Sequence, residues 1–205
     1  MKKVLVVLII SMGMYAQDGI TVVGGITMSK FKYNDRSIFD EIASDFKINN
    51  IQGFSISIEK MINSLKIGSS YVQRGTRYQI YYSDLFDMTV SSSAEIEMTL
   101  NYISGYILYP HLLDEKLSAF GGIQAGTSLG GTLKISSESE NDSDTIESDE
   151  LNLDYGLLLG LDYFYDTKIG LRASYYYGLG GVAKDVDENR NFKNRTIGLS
   201  LLYNL

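Results

Sequence analysis

Few groups in this chain could do chemistry. The single histidine, His111, sits in the stretch PHLLDE from Pro110 to Glu115. An imidazole works as a general base only when a nucleophile and an orienting acid lie within hydrogen-bond reach. No G-x-S-x-G, HExxH or P-loop spacing occurs to supply them, and His111 reads as an ordinary residue of a turn beside proline. The absence of cysteine removes disulfides and thiolate metal sites. A second group is the acidic tract SSESENDSDTIESDE, Ser136 to Glu150. Its Glu138, Glu140, Asp142, Asp144 and Glu147 offer oxygen ligands of the kind Ca²⁺ and Mg²⁺ take. The glycine and terminal glutamate of an EF-hand are missing, however, and a run of like charges is ordinarily a solvated loop. The third group is dispersed: Glu59, Lys66, Arg74, Glu97, Asp154, Asp162, Lys168 and Arg172 all fall on the polar parity of alternating segments. If that parity faces an enclosed space, these charges must form a network of ion pairs, because an unpaired buried charge costs several kcal/mol.

The elements that would position these residues are strands. In KIGLRASYYYGLGG, Lys168 to Gly181, Ile169, Leu171, Ala173, Tyr175, Tyr177 and Leu179 alternate with Lys168, Gly170, Arg172, Ser174, Tyr176 and Gly178. A period of two is the mark of a strand with one apolar and one polar face. The pattern returns at Ile20 to Phe31, Ile51 to Lys60, from Leu65 to about Arg74, Ala94 to Tyr109, Leu117 to Gly131, Leu151 to Tyr165 and Arg195 to Leu205. In the fourth of these eight segments Ile96, Met98, Leu100 and Tyr102 are assigned to the apolar face, against Glu97, Thr99 and Asn101. Pro110, which cannot donate to a ladder, suits its end. Most segments reach 10 residues or more. Soluble strands usually have about 5 or 6, whereas a tilted strand needs roughly 9 to 11 to cross a bilayer. The connections alternate too. Met61 to Ser64, Pro110 to Lys116 and Tyr165 to Lys168 are short; Lys32 to Asn50, Thr76 to Ser93, Thr132 to Glu150 and Val182 to Asn194 are long and polar, the first with a possible short helical turn. Short turns at one end and long loops at the other are the layout of outer-membrane barrels.

Composition fits export. MKKVLVVLIISMGMYAQDG opens with two lysines, an apolar run and small or polar residues, the three regions of a secretory signal peptide, with cleavage expected after Ala16. Residues 1–16 are therefore read as the leader and 17–205 as one barrel domain. No later apolar run approaches the length of a membrane helix. The formal charge of −7 argues against nucleic acid as a partner, because phosphate-backbone binding needs basic surface. An eight-stranded barrel has an interior only just wide enough for side chains. The small and polar parity fits that space, so the apolar parity is expected to face lipid. Tyr106, Tyr109, Tyr163, Tyr165 and Tyr203 would then sit at the headgroup level.

The predicted fold is all-β, an eight-stranded antiparallel up-and-down transmembrane barrel. The stretches ITVVGGITMSKF, SYVQRG, LNYISGYIL, FGGIQAGTSLGG, DYGLLLGLDYFY, LRASYYYGLGGV and KNRTIGLSLLYNL resemble, in order and spacing, the strands of the PorT-like outer-membrane β-barrel family of Bacteroidetes and related bacteria. Where that family has an acidic-apolar-Pro step in its fourth strand this chain has Ile103-Ser104-Gly105, and its last residue is Leu205 rather than an aromatic. The resemblance implies a fold and a location in the outer membrane and little about mechanism. The functional expectation is a non-enzymatic structural or surface-interaction protein without cofactor. It would be a monomer in contact with outer-membrane lipid and lipopolysaccharide, and with envelope or secretion-system proteins as its possible partners. The alternatives are a narrow pore or transport accessory, and a soluble lipocalin-like barrel, which would need an apolar cavity and a polar exterior.

Overall fold

A computed structural model describes residues 19–33, 45–83, 91–137, 141–184 and 191–205. The leader at 1–16 lies outside them, as do Glu138 and Glu140 of the acidic tract. Ten strands are present among the described residues: β1 (Ile20–Tyr33), β2 (Asp45–Asn49), β3 (Ile51–Ile62), β4 (Leu65–Ser83), β5 (Ser91–Leu112), β6 (Leu117–Ser137), β7 (Asn141–Ile146), β8 (Asp154–Phe164), β9 (Ile169–Gly178) and β10 (Phe192–Asn204). Eight of them close a ring. Going round, β1, β3, β4, β5, β6, β8, β9 and β10 each pair antiparallel with the next, and β10 returns to β1. Closure leaves no edge in the membrane, so every backbone group of the ring can be paired inside the sheet.

The alternation sets the faces. Ile26, Phe54, Ile56, Ile123, Leu159, Leu171, Leu199 and Leu201 stand exposed on the outer wall, while Thr27, Ser70, Gln124, Asp162, Arg172 and Ser200 are buried inside. Tyr109, Tyr163, Tyr165 and Tyr203 lie outward near the short turns and Tyr155 and Tyr177 outward near the long loops, giving the paired aromatic girdles of a membrane barrel. Tyr106 departs from the expectation: it points inward, its hydroxyl donating to Glu59 at 2.9 Å. It sits across from Gly68, where any Cβ would strike its ring. The tightest hairpin joins β3 to β4 through Asn63 and Ser64, with Asn63 in the left-handed region at φ 55°, a conformation asparagine tolerates.

Three strands outgrow the membrane. β4, β5 and β6 run 19, 22 and 21 residues, whereas β8 and β9 have 11 and 10. Much of what the sequence suggests as long loop is strand. β2 pairs with Arg77–Tyr81 of β4, while residues 34–44 of the stretch expected to hold a helical turn lie outside the described residues; the acidic tract supplies β7, which pairs with Gly131–Ser136 of β6. The result is a five-stranded sheet, β2-β4-β5-β6-β7, standing above one side of the ring. The expected strand Leu151 to Tyr165 starts later, at Asp154; Leu151 turns inward, bridging Ala183. Pro110 is not a terminus either, since β5 continues to Leu112.

The fourth segment is inverted with respect to its expected facing. Leu100, Tyr102 and Leu108 are fully buried inside, and Met98 packs against the cluster that holds the first two; Glu97 lies on the outer face. Its upper half stands above the bilayer, where water rather than lipid meets the outer wall and the sense of the polarity pattern reverses.

Candidate functional site

The interior is filled by two ion clusters at different heights. The lower one lies near the short turns, on the ends of β3, β4, β8 and β9. Arg172 holds Glu59 with both terminal nitrogens, at 2.8 and 2.9 Å, and Asp162 with Nε and Nη2, at 2.7 and 2.8 Å. Lys66 Nζ donates to Asp162 at 2.5 Å and lies 3.8 Å from Glu59. All four side chains are buried, and the Phe120 ring stacks under the Arg172 guanidinium at 4.7 Å. The forked, planar donors of arginine suit this double bidentate clamp, which a lysine could not reproduce.

The upper cluster centres on Asp154. Its carboxylate accepts from Arg74, from Tyr176 Oη at 2.9 Å and from Asn194 Nδ2 at 2.9 Å. Arg74 also donates to Gln124 at 3.3 Å and lies over the Tyr176 ring at 3.8 Å. Between the clusters is a cavity of about 70 Å³, and below them the short-turn mouth forms a recess of about 740 Å³ that reaches Glu59 and Lys66. Above, the lumen is capped by an apolar cluster of Phe31, Val72, Leu100, Tyr102, Leu151 and Val182, with the Phe31 and Phe192 rings stacked at 4.6 Å. Across the two clusters three cations meet three carboxylates, so the charge inside is balanced.

Of the eight charges expected to share the interior, the structure brings together Glu59, Lys66, Asp162 and Arg172, and separately Arg74 and Asp154. Two lie elsewhere. Glu97, on the outer face of β5, pairs with Arg77 at 2.6 Å because the strand is inverted; Lys168 is exposed in the turn between β8 and β9. Neighbouring Asp166 accepts from the Ile169 and Lys168 amides, both at 2.7 Å, and these bonds hold its carboxyl below the ordinary aspartate value. Sequence reasoning missed Tyr176, Asn194, Tyr106 and Gln124 as partners of the charges. Their even spacing with Arg172, Asp154 and Ser200 was the available signal. It also missed the hydroxyls of Thr27 and Ser29, which reach across from β1 to the backbone of Gln73 and Gly75 where the β3–β4 ladder stops above Ser55.

Among the described residues neither of the chemical candidates is assembled. His111 is exposed at the short-turn end of β5, opposite Ala119. Among the described residues no three His, Cys, Asp or Glu side chains come together as a metal site. Asp142 and Asp144 are exposed on β7, in register with Ile135 and Leu133.

The closed ring, its apolar exterior and its ion-filled interior agree with the family comparison: the model for the outer membrane protein beta-barrel domain matches residues 15–184. This chain belongs to that family. It is an all-β protein of the bacterial outer membrane. Among solved structures, Neisserial surface protein A is similar at a TM-score of 0.54, with 17% identity over 91% of this chain and 97% of that one. Ail, the attachment invasion locus protein of Yersinia pestis, has a TM-score of 0.50 and 19% identity, over 92% of this chain and 100% of that one. No curated protein matches by sequence. At these identities the solved structures speak for the fold. The lipocalin-like alternative is set aside by the family match and by the wall itself, which turns leucine and isoleucine outward.

Proposed function

We propose that this protein is a non-enzymatic, non-conducting outer-membrane barrel, acting as a monomer without cofactor, whose projecting sheet is a contact surface outside the cell. The observation that carries the proposal is the five-stranded extension. Strands longer than a bilayer requires, widened by β2 and β7, build a rigid platform where a membrane anchor alone would need only loops. Its outer face is polar and paired across strands, Arg77 with Glu95 and Glu97 and Lys134 opposite Glu97, as suits a surface in water. The strand words that resemble the PorT-like barrels support a place near that branch of the family, with the mature chain beginning at residue 17. The Yersinia relative is named for attachment and one of its structures is a complex with the heparin analogue sucrose octasulfate, which favours an extracellular contact role here while leaving the partner's chemistry to this chain's own surface. The narrow pore or secretion accessory is the lesser reading because both ion clusters and the apolar cap cross the lumen.

Because the chain has no cysteine, single introduced thiols report topology without background. A membrane-impermeant maleimide on intact cells should label Thr145→Cys on β7 and leave Glu115→Cys, in a short turn, unlabelled until the outer membrane is opened. Labelling of Glu115→Cys alone would place the sheet on the periplasmic side and end the proposal.

A further inference from the structure

Two buried groups inside the ring are left over from the ion clusters. Arg74 Nε and Thr196 Oγ1 have no hydrogen-bond partner among the described residues, although the two residues are only 3 and 5% exposed. Both line the cavity of about 70 Å³ between the clusters, together with Thr27, Ser55, Ser174 and Ser200. A buried polar atom left unpaired is costly, so these walls call for a ligand that can hydrogen-bond. Arg74 and Arg172, the cations among them, already have Asp154, Glu59 and Asp162 as counter-charges, and a further ion would be uncompensated. A small neutral occupant that both donates and accepts meets the walls, and the space exceeds what a single water needs.

The wall beside this cavity is not a continuous ladder. The β3–β4 pairing ends at Ser55 with Val72, and the next rung is Asn49 of β2 with Arg77. Residues 50–54 therefore stand against 73–76, one residue more on the β3 side, which is the count of a bulge. Side chains of β1 replace the lost rungs from inside the barrel. Thr27 Oγ1 donates to the Gln73 carbonyl at 3.0 Å; Ser29 Oγ donates to the Gly75 carbonyl at 3.1 Å and accepts from the Gly75 N–H at 2.8 Å. One serine hydroxyl thus does for Gly75 what a facing strand residue would do with its own amide and carbonyl. Gly53 lets the chains close over this joint, since a Cβ there would meet the Gln73 carbonyl and the Thr27 hydroxyl. Outside, the wall turns from the Phe54 and Tyr71 rings to Gln73 and Asn101, whose side chains bond each other at 3.2 Å. The break lies where an apolar surface gives way to a polar one.

We propose that the cavity is a water site supplied through this break in the wall, which the Ser29 and Thr27 hydroxyls latch shut, and not along the barrel axis. Thr27, Ser55, Val72 and Arg74 belong at once to the break and to the lining of the cavity. Along the axis the Arg172 clamp stands below, and the Asp154 cluster with its apolar cap stands above. Opening the latch exchanges side-chain hydroxyl bonds for bonds to the entering water, whereas opening a full ladder strips a row of backbone groups at once. The inference rests on the lumen being sealed at both ends, which a conductance measurement tests by itself.

The test places one thiol in the cavity, since the chain has no cysteine of its own. The Ser200→Cys barrel in phosphatidylcholine nanodiscs is treated with methyl methanethiosulfonate, a small neutral reagent. Labelling is followed by intact-protein mass, and folding is checked by heat-modifiable gel mobility. Adding Ser29→Ala should raise the labelling rate about tenfold or more. Adding Ser128→Ala instead, which deletes a buried hydroxyl bonded to the Asn101 carbonyl between β5 and β6, should leave the rate unchanged. Equal rates with and without Ser29, equal acceleration by Ser128→Ala, or labelling of the Ser200→Cys parent as fast as an exposed thiol would each overturn the proposal. So would a bromide peak beside Arg74 Nε in crystals grown with bromide, which would make the occupant an anion. Where Ser29→Ala does not fold, amide exchange on wild type decides. The Gly75 N–H should exchange about tenfold or more faster than those of Tyr71 and Leu100, which stand in paired ladder, and equal protection would overturn the proposal.

Discussion

The short-turn and long-loop ends of the lumen are filled differently. Near the short turns the ring encloses Glu59, Lys66, Asp162 and Arg172, every one hydrogen-bonded; toward the long loops it encloses Phe31, Leu100, Tyr102, Leu151 and Val182. The lower half is bounded on all sides by strands whose outer parity is committed to lipid. Its inner parity carries the charged groups, packed beside the apolar cluster of Tyr106, Leu108 and Phe120, and polar groups inside must be paired to be tolerated. In the upper half the outer parity meets water, so the apolar parity is free to turn inward and make a conventional core with residues from the connections. One sheet thus carries two patterns, and the bilayer surface is where they exchange.

That contrast can be broken most forcefully at Arg172. Arg172→Ala leaves Glu59 and Asp162 buried with Lys66 as their one remaining shared cation and should cost on the order of 3–5 kcal/mol in denaturant unfolding from liposomes. Replacing the group together, Glu59→Leu, Lys66→Met, Asp162→Leu and Arg172→Met, should recover most of that loss; a quadruple variant as unstable as Arg172→Ala would mean the charges themselves, not their mutual satisfaction, hold the lower half. In the upper half the corresponding test is Leu100→Ala, expected to cost about 2–4 kcal/mol by transfer and cavity terms, with no dependence on salt. Gly68→Val, which drives a side chain into the Tyr106 ring, should cost about 1–3 kcal/mol by overpacking beside the lower cluster. On the wetted outer face the same types of charge matter little: Arg77→Ala, removing pairs that are about two-fifths exposed on the arginine side, should change stability by less than about 1 kcal/mol. Smallest is Asp166→Ala in the β8–β9 turn. The Asp166 carboxyl is held below its ordinary value, so its contribution is present above pH ~4 and fades as pH falls through the lowered pKa; the wild-type advantage over Asp166→Ala should vanish in acid unfolding curves.

How much of this was legible in the sequence follows the same boundary. Within the bilayer the alternation was unambiguous, as in Ile169 to Tyr177, and the eight-stranded ring and its lipid-facing wall follow from it. So do the six charges, of the eight expected, that the structure places inside. β5 shows where reading stops. Its lower half carries apolar residues on both parities, Ile103 and Ile107 against Tyr106 and Leu108, so polarity there does not choose a face. Its upper half does choose one, but in the sense appropriate to water, and applying the lipid sense put Leu100 and Tyr102 outside and Glu97 inside. The length of the segment was the missed signal, since 22 residues exceed what the membrane uses. Strand β7 was hidden for another reason. NDSDTI has the composition of a solvated loop, and only the ladder of β6 beside it gives it strand form. The cross-barrel bonds of Thr27 and Ser29 depend on where the β3–β4 pairing ends, which no local pattern encodes.

Closure of the lumen by paired charge and an apolar cap is tested most directly by planar-bilayer recording. Purified wild type, inserted and verified by heat-modifiable mobility, should show no conductance above the bilayer baseline across the voltages the membrane withstands. Steady, ion-selective unitary currents from wild type would contradict it, and would make the two ion clusters a selectivity path instead of a seal.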